Sequence, residues 1–123
     1  MKKTIKTNLD STLSQPFIRW AGSKRQHLPL LKSFWSDTFS RYVEPFAGSA
    51  ILFFNLNPAR ALLGDINKEL ISTFKTVRDH PTQVHKTLKA IPKGPIHYKR
   101  VRKENPNSLA PVERAARFIY LNR

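Results

Sequence analysis

The order of apolar and polar residues predicts an α/β chain: a parallel strand–helix–strand unit leading into a helical, basic region. Three observations predict it. Tyr42 to Phe46 is a short apolar run that enters a tight turn at Gly48 and then a helical stretch. Arg60 to Gly64 is a second short run, closed by Asp65. Beyond it, apolar residues recur at helical spacing only.

Composition sets the bounds. At 123 residues the chain is one domain or part of one. Mean hydropathy is -0.45, and no run approaches the roughly 20 apolar residues of a membrane span. Lys2 and Lys3 begin like an export signal, but no apolar core follows. With no cysteine, disulfides and thiolate metal sites are excluded. A cytoplasmic protein with no metal and no membrane partner is expected. Net charge is +14, which calls for a polyanion, most often nucleic acid. Residues 1–77 carry 11 basic and 5 acidic side chains, and residues 78–123 carry 11 and 3, so the excess is denser in the second half.

Residues 1–15 are polar and basic without periodicity and read as a disordered tail. Pro16 to Arg25 pairs an apolar run and Trp20 with a Gly22-Ser23 turn, then Lys24 and Arg25. A helix is predicted from His27 to Ser36, with Leu28, Leu31 and Trp35 on one face. After the Tyr42–Phe46 strand, Ser49 to Leu56 is apolar nearly all round and should be sandwiched inside. Asn57-Pro58 ends it. The Arg60–Gly64 strand is short and apolar, as buried parallel strands are. Asn67 is placed to cap the next helix, with Glu69 in its first turn and Leu70, Ile71, Phe74 and Val77 as its stripe. Pro81 opens a further helix with Val84, Leu88 and Ile91 on one side. A loop follows at residues 92–95, then a basic cluster from His97 to Lys103, then a second loop at residues 105–108. Pro111 to Leu121 is the last helix, with Val112, Ala115, Ala116, Ile119 and Tyr120 as its apolar set, and it is expected to have no C-terminal cap, with neither glycine nor a polar tail after it. The expected division is a tail at 1–15, a core at 16–78 and a helical basic region at 79–123.

Within a strand–helix–strand unit, Gly48 and Asp65 belong at neighbouring strand tips, facing one crevice. A small-residue turn there admits a ligand to free helix N–H groups. An acidic residue at the second tip is where nucleotide-binding folds hold ribose hydroxyls. Glu44 adds an acceptor for an ammonium group, or is a hydrogen-bonded strand end. Trp20 and Lys24 together suit an aromatic ring and an anion, or are a core aromatic and a surface cation. Lys99, Arg100, Arg102 and Lys103 suit phosphates, or form a solvated helix face.

Four blocks, taken in order, resemble the Dam-like (D12-class) adenine-specific DNA methyltransferases. They are Arg19-Trp20-Ala21-Gly22-Ser23-Lys24, Val43 to Ser49, Gly64 to Ile71, and Phe118 to Arg123. The resemblance implies a Rossmann-like fold and transfer of a methyl group from S-adenosylmethionine to adenine N6 in double-stranded DNA. By the same resemblance, Trp20, Lys24, Glu44, Phe46, Gly48 and Asp65 would form the cofactor pocket, and Arg123 would contact DNA. One departure is Ala50, where many members carry a second glycine. A larger one is the lack of the family's Asp-Pro-Pro-Tyr block, which holds the target amino group and stacks on the flipped base. No catalytic residue is therefore expected here. Asn57-Pro58-Ala59 and Asn105-Pro106-Asn107 are only superficially similar. The chain reads as the N-terminal part of such an enzyme, as half of a split enzyme completed by a second chain, or as a non-enzymatic DNA- or cofactor-binding remnant. Two strands with uncovered faces should leave it unstable or associating when isolated.

Overall fold

The computed structural model describes residues 15–123. The predicted tail, but for Gln15, lies outside the described residues. Ten elements follow from Lys24 onward. A 3-10 turn at Lys24–His27 leads into α1 (Leu28–Ser33), followed by β1 (Tyr42–Glu44), α2 (Ile51–Leu56) and β2 (Ala61–Leu63). The remainder is helical: α3 (Lys68–Asp79), α4 (Pro81–Ala90), α5 (Pro95–Lys103), a 3-10 turn at Pro106–Ser108 and α6 (Pro111–Leu121).

β1 and β2 pair in parallel, with Tyr42 opposite Ala61, Val43 opposite Leu62 and Glu44 opposite Leu63. The ladder outlasts both strands. The Gly64 N–H donates to Glu44 O at 2.8 Å, and the Ala47 N–H donates to Gly64 O at 2.8 Å. These two bonds hold the turn after β1 beside the turn after β2. That juxtaposition is what places Gly48 near Asp65.

The core lies in the helices. Leu70 of α3, Val84 and Leu88 of α4, and Ala115, Ala116 and Ile119 of α6 cluster with Ile18. Two adjacent alanines on α6 present little side chain, so its backbone approaches α3 and α4 closely. Pro81, Pro95 and Pro111 each sit in a first turn, where the missing N–H costs nothing. The predicted Asn67 cap is present: its side chain accepts from the Leu70 N–H at 3.1 Å.

Several expectations are corrected. The first helix is a 3-10 turn and six α-helical residues, and Trp35 falls beyond it, against Phe39 and Tyr42. Both strands are three residues long, and α2 begins at Ile51 rather than Ser49 because Gly48 and Ala50 take left-handed angles. α2 is not sandwiched: Ile51 is buried, whereas Leu52, Phe53 and Phe54 are half-buried. β2 is not a buried strand either. Leu62 is 60 % exposed, because no layer covers that side of the sheet among the described residues. α5 starts at Pro95, shortening the loop before it. The end of α6 does have a cap: the Asn122 side-chain amide donates to Phe118 O at 2.8 Å.

Candidate functional site

The first strand-to-helix turn is built from unusual backbone. Gly48 has φ 51° and Ala50 has φ 54°, both left-handed. A Cβ on Gly48 would lie 3.1 Å from Trp20 Cδ1, so the absent side chain lets the indole lie against the turn. Trp20 is held from behind by Phe118 of α6, at 6.1 Å between rings. The Arg19 N–H donates to Asn122 O at 3.1 Å, which ties this segment to the end of α6.

Asp65 joins the two turns. Its Oδ2 accepts from the Gly48 N–H at 3.0 Å and its Oδ1 from the Asn67 N–H at 2.9 Å. Each carboxylate oxygen has a second lone pair, so acceptor capacity remains. Trp20, Lys24, Phe46, Gly48 and Asp65 line one cavity of about 320 Å³, with Ser23, Ser49 and Ile51. Sequence reasoning missed the last three; they flank the glycine turns and carry no periodic signal.

Glu44 does not line that cavity; it lies beneath it, 5 % exposed. Its Oε2 accepts from the Tyr42 hydroxyl at 2.8 Å. Burial pushes the Tyr42 hydroxyl pKa well above its ordinary value, and the Glu44 carboxylate adds to the shift. Tyr42 was missed as a supporting residue, although strand alternation puts residues 42 and 44 on one face. Glu44 Oε1 lies 3.0 Å from Lys24 Nζ, but Lys24 aims its hydrogen bond at Phe46 O, at 2.6 Å. The ion pair is close, yet Oε1 is buried with no aligned donor. The opposite charges attract despite the poor alignment, while the Oε1 lone pairs stay unfilled.

The predicted phosphate contacts separate. Lys99, Arg100, Arg102 and Lys103 are exposed on α5, whose buried residue is Val101. Arg117 of α6 donates to Val101 O at 3.0 Å and to Arg102 O at 2.9 Å, so it caps α5. Lys99 and Arg123 also meet Lys89, Lys93, Tyr98 and Tyr120 around a larger cavity of about 710 Å³. Arg100, Arg102 and Lys103 lie outside it.

The family described as D12 class N6 adenine-specific DNA methyltransferase matches residues 20–123. The chain belongs to that family. Its relatives include a type II methyltransferase of Lactococcus lactis subsp. cremoris, 33% identical over 89% of this chain and 40% of the relative. A DNA adenine methylase of Haemophilus influenzae is 31% identical over 99% of this chain and 43% of its own length. That of Escherichia coli K12 is 34% identical over 89% and 41%. The chain thus spans about two-fifths of the length of these relatives. The mixed helices and small parallel sheet agree with a methyltransferase-like α/β fold.

Proposed function

We propose that this chain supplies the S-adenosylmethionine site, and the start of the DNA-binding region, of an N6-adenine DNA methyltransferase with a Rossmann-like core. On this reading residues 16–78 form the cofactor-binding core and residues 79–123 open the target-recognition region. The single observation that carries it is the convergence of Trp20, Lys24, Phe46, Gly48 and Asp65 on one cavity in a chain of this family.

The residues present fit the cofactor. S-adenosylmethionine supplies a methyl group on a sulfonium cation, and carries an amino-acid zwitterion and an adenosine. The close Glu44–Lys24 pair matches that zwitterion. Glu44 Oε1, buried beneath the cavity without an aligned donor, would accept from the ammonium only once Lys24 swings off it toward the carboxylate. The aromatic faces of Trp20 and Phe46 suit adenine or the sulfonium. Asp65, already held by two backbone N–H groups, keeps lone pairs for ribose hydroxyls. The cradle at Gly48 admits the ligand against the backbone.

The base-acting Asp-Pro-Pro-Tyr block that the resemblance implies does not occur in these 123 residues. Transfer therefore needs polypeptide beyond them, in the same chain or a second one. Cations on α5 and Arg123 would meet phosphates of the double-stranded DNA, which the protein would encounter in the cytoplasm. Calorimetry tests the proposal. The chain should bind S-adenosylmethionine, and Asp65→Ala should weaken binding at least about tenfold, the loss of roughly one charge-assisted hydrogen bond. Unchanged binding would remove Asp65 from the site. The chain alone should transfer no labelled methyl group to DNA; turnover would refute the need for the missing block.

A further inference from the structure

The larger cavity is built differently from the cofactor cleft. Its charged side chains are Lys89, Lys93, Lys99 and Arg123, with no aspartate or glutamate in the lining. Among the described residues, ion pairs engage Lys24, Arg78 and Arg114, and none engages these four. Four unpaired cations around one concavity repel one another and concentrate a positive field, which a polyanion relieves. Two tyrosines complete the wall. Tyr120 is fixed, its hydroxyl donating to Pro92 O at 2.9 Å. Tyr98 lies over it, ring centroids 6.3 Å apart and planes tilted by 33°, and is 39 % exposed.

We propose that this cavity takes an unpaired nucleotide of a DNA strand, its base against Tyr98 and its phosphates among Lys89, Lys93, Lys99 and Arg123. Cationic grooves with exposed aromatic platforms are how proteins hold unstacked strands. A duplex offers phosphates but hides its base faces, so it would use the lysines and leave Tyr98 without a partner. Continuity favours a strand over a free nucleotide: Lys99 belongs to both the cavity and α5, whose Arg100, Arg102 and Lys103 extend the cationic path. The end of α6 and the residues just after it connect the two sites. Phe118 backs Trp20 of the cofactor cleft, while Tyr120 and Arg123 reach the basic cavity. The proposal rests on the DNA-acting reading for the kind of strand.

Fluorescence anisotropy of the 123-residue chain tests it, with a short blunt duplex and the same duplex bearing a few unpaired nucleotides. The tailed duplex should bind roughly tenfold tighter. Tyr98→Ala should abolish that preference and Tyr98→Phe keep it. The double variant Lys89→Ala/Lys93→Ala, at exposed positions, should lower the slope of log affinity against log salt by about 1–2. Equal binding of the two duplexes by the unmodified chain, or a preference that survives Tyr98→Ala, would overturn the proposal. So would competition by free deoxyadenosine monophosphate as effective as that of the tailed strand, which would mark a small-molecule site. Arg100→Ala/Arg102→Ala separates the two readings. If it weakens duplex binding while the tail has no effect, only this inference fails; if no duplex is bound at all, the DNA-acting reading fails with it.

Discussion

Gly48 and Ala50 share left-handed backbone on either side of Ser49, but the sequence treats them differently. At Gly48 any side chain meets the Trp20 ring and also carries the left-handed penalty. Gly48→Ala should cost about 1–2 kcal/mol of stability from backbone strain. It should reduce S-adenosylmethionine affinity further by displacing the indole; denaturant melts and calorimetry read the two effects separately. Ala50 already bears the strain, at φ 54° with its methyl fully buried. Ala50→Gly would relieve about 1–2 kcal/mol of strain, but would forgo roughly 0.8 kcal/mol of methyl burial and about 0.5–1 kcal/mol of unfolded-state entropy. These terms nearly cancel, so its midpoint should barely move. Ala50→Val, β-branched in left-handed backbone, should be strongly destabilising in the same melt. Ala50 was legible as a departure from the family pattern. Its left-handed angles were not, because alanine signals no turn geometry of its own.

At the scale of elements, α3 and α6 are joined by a forked pair in which both Arg114 donors reach the Glu69 carboxylate. The Arg114 hydrogen bond holds the Glu69 carboxyl below the ordinary glutamate range, against a smaller opposing effect of burial. A carboxylate with a depressed folded-state pKa contributes stability above its unfolded value and loses it as pH falls through the folded one. Thermal melts from neutral pH to about pH 3 should therefore show the wild type ahead of Glu69→Gln at neutrality and the gap closing in acid. A constant gap would mean the pair is structural packing rather than charge. Capping was predictable at Asn67, where Asn-Lys-Glu reads as a helix start, and Asn67→Ala should cost about 1 kcal/mol in the same melts. The α3–α6 pair was not legible, since Glu69 and Arg114 are 45 residues apart and each looks like a solvated charge. Arg117 as the cap of α5 was hidden for the same reason.

The whole molecule has a dry helical core and a wet sheet. Val43 and Leu62, opposite each other in the ladder, are 49 % and 60 % exposed. Phe17, Phe53, Phe54, Leu62 and Phe74 line an apolar groove of about 380 Å³ beside β2. Each uncovered Phe- or Leu-sized side chain forgoes roughly 1.5–3 kcal/mol, against a whole-domain margin of about 5–15 kcal/mol. The isolated chain should therefore bind a hydrophobic dye and associate with rising concentration, as light scattering after gel filtration would show. A monomer with one sharp melt would contradict this. Period and punctuation sufficed for the parallel pair, for the helices led by Pro81 and Pro111 and for Gly48 and Asp65 at one crevice, because those features depend on local spacing and turn chemistry. Packing alone decided that Glu44 lies under the cleft rather than in it, that Lys99 and Arg123 meet two tyrosines, and that β2 faces solvent. Each of those depends on which surfaces touch across long stretches of chain, and side-chain spacing carries no record of a neighbour dozens of residues away.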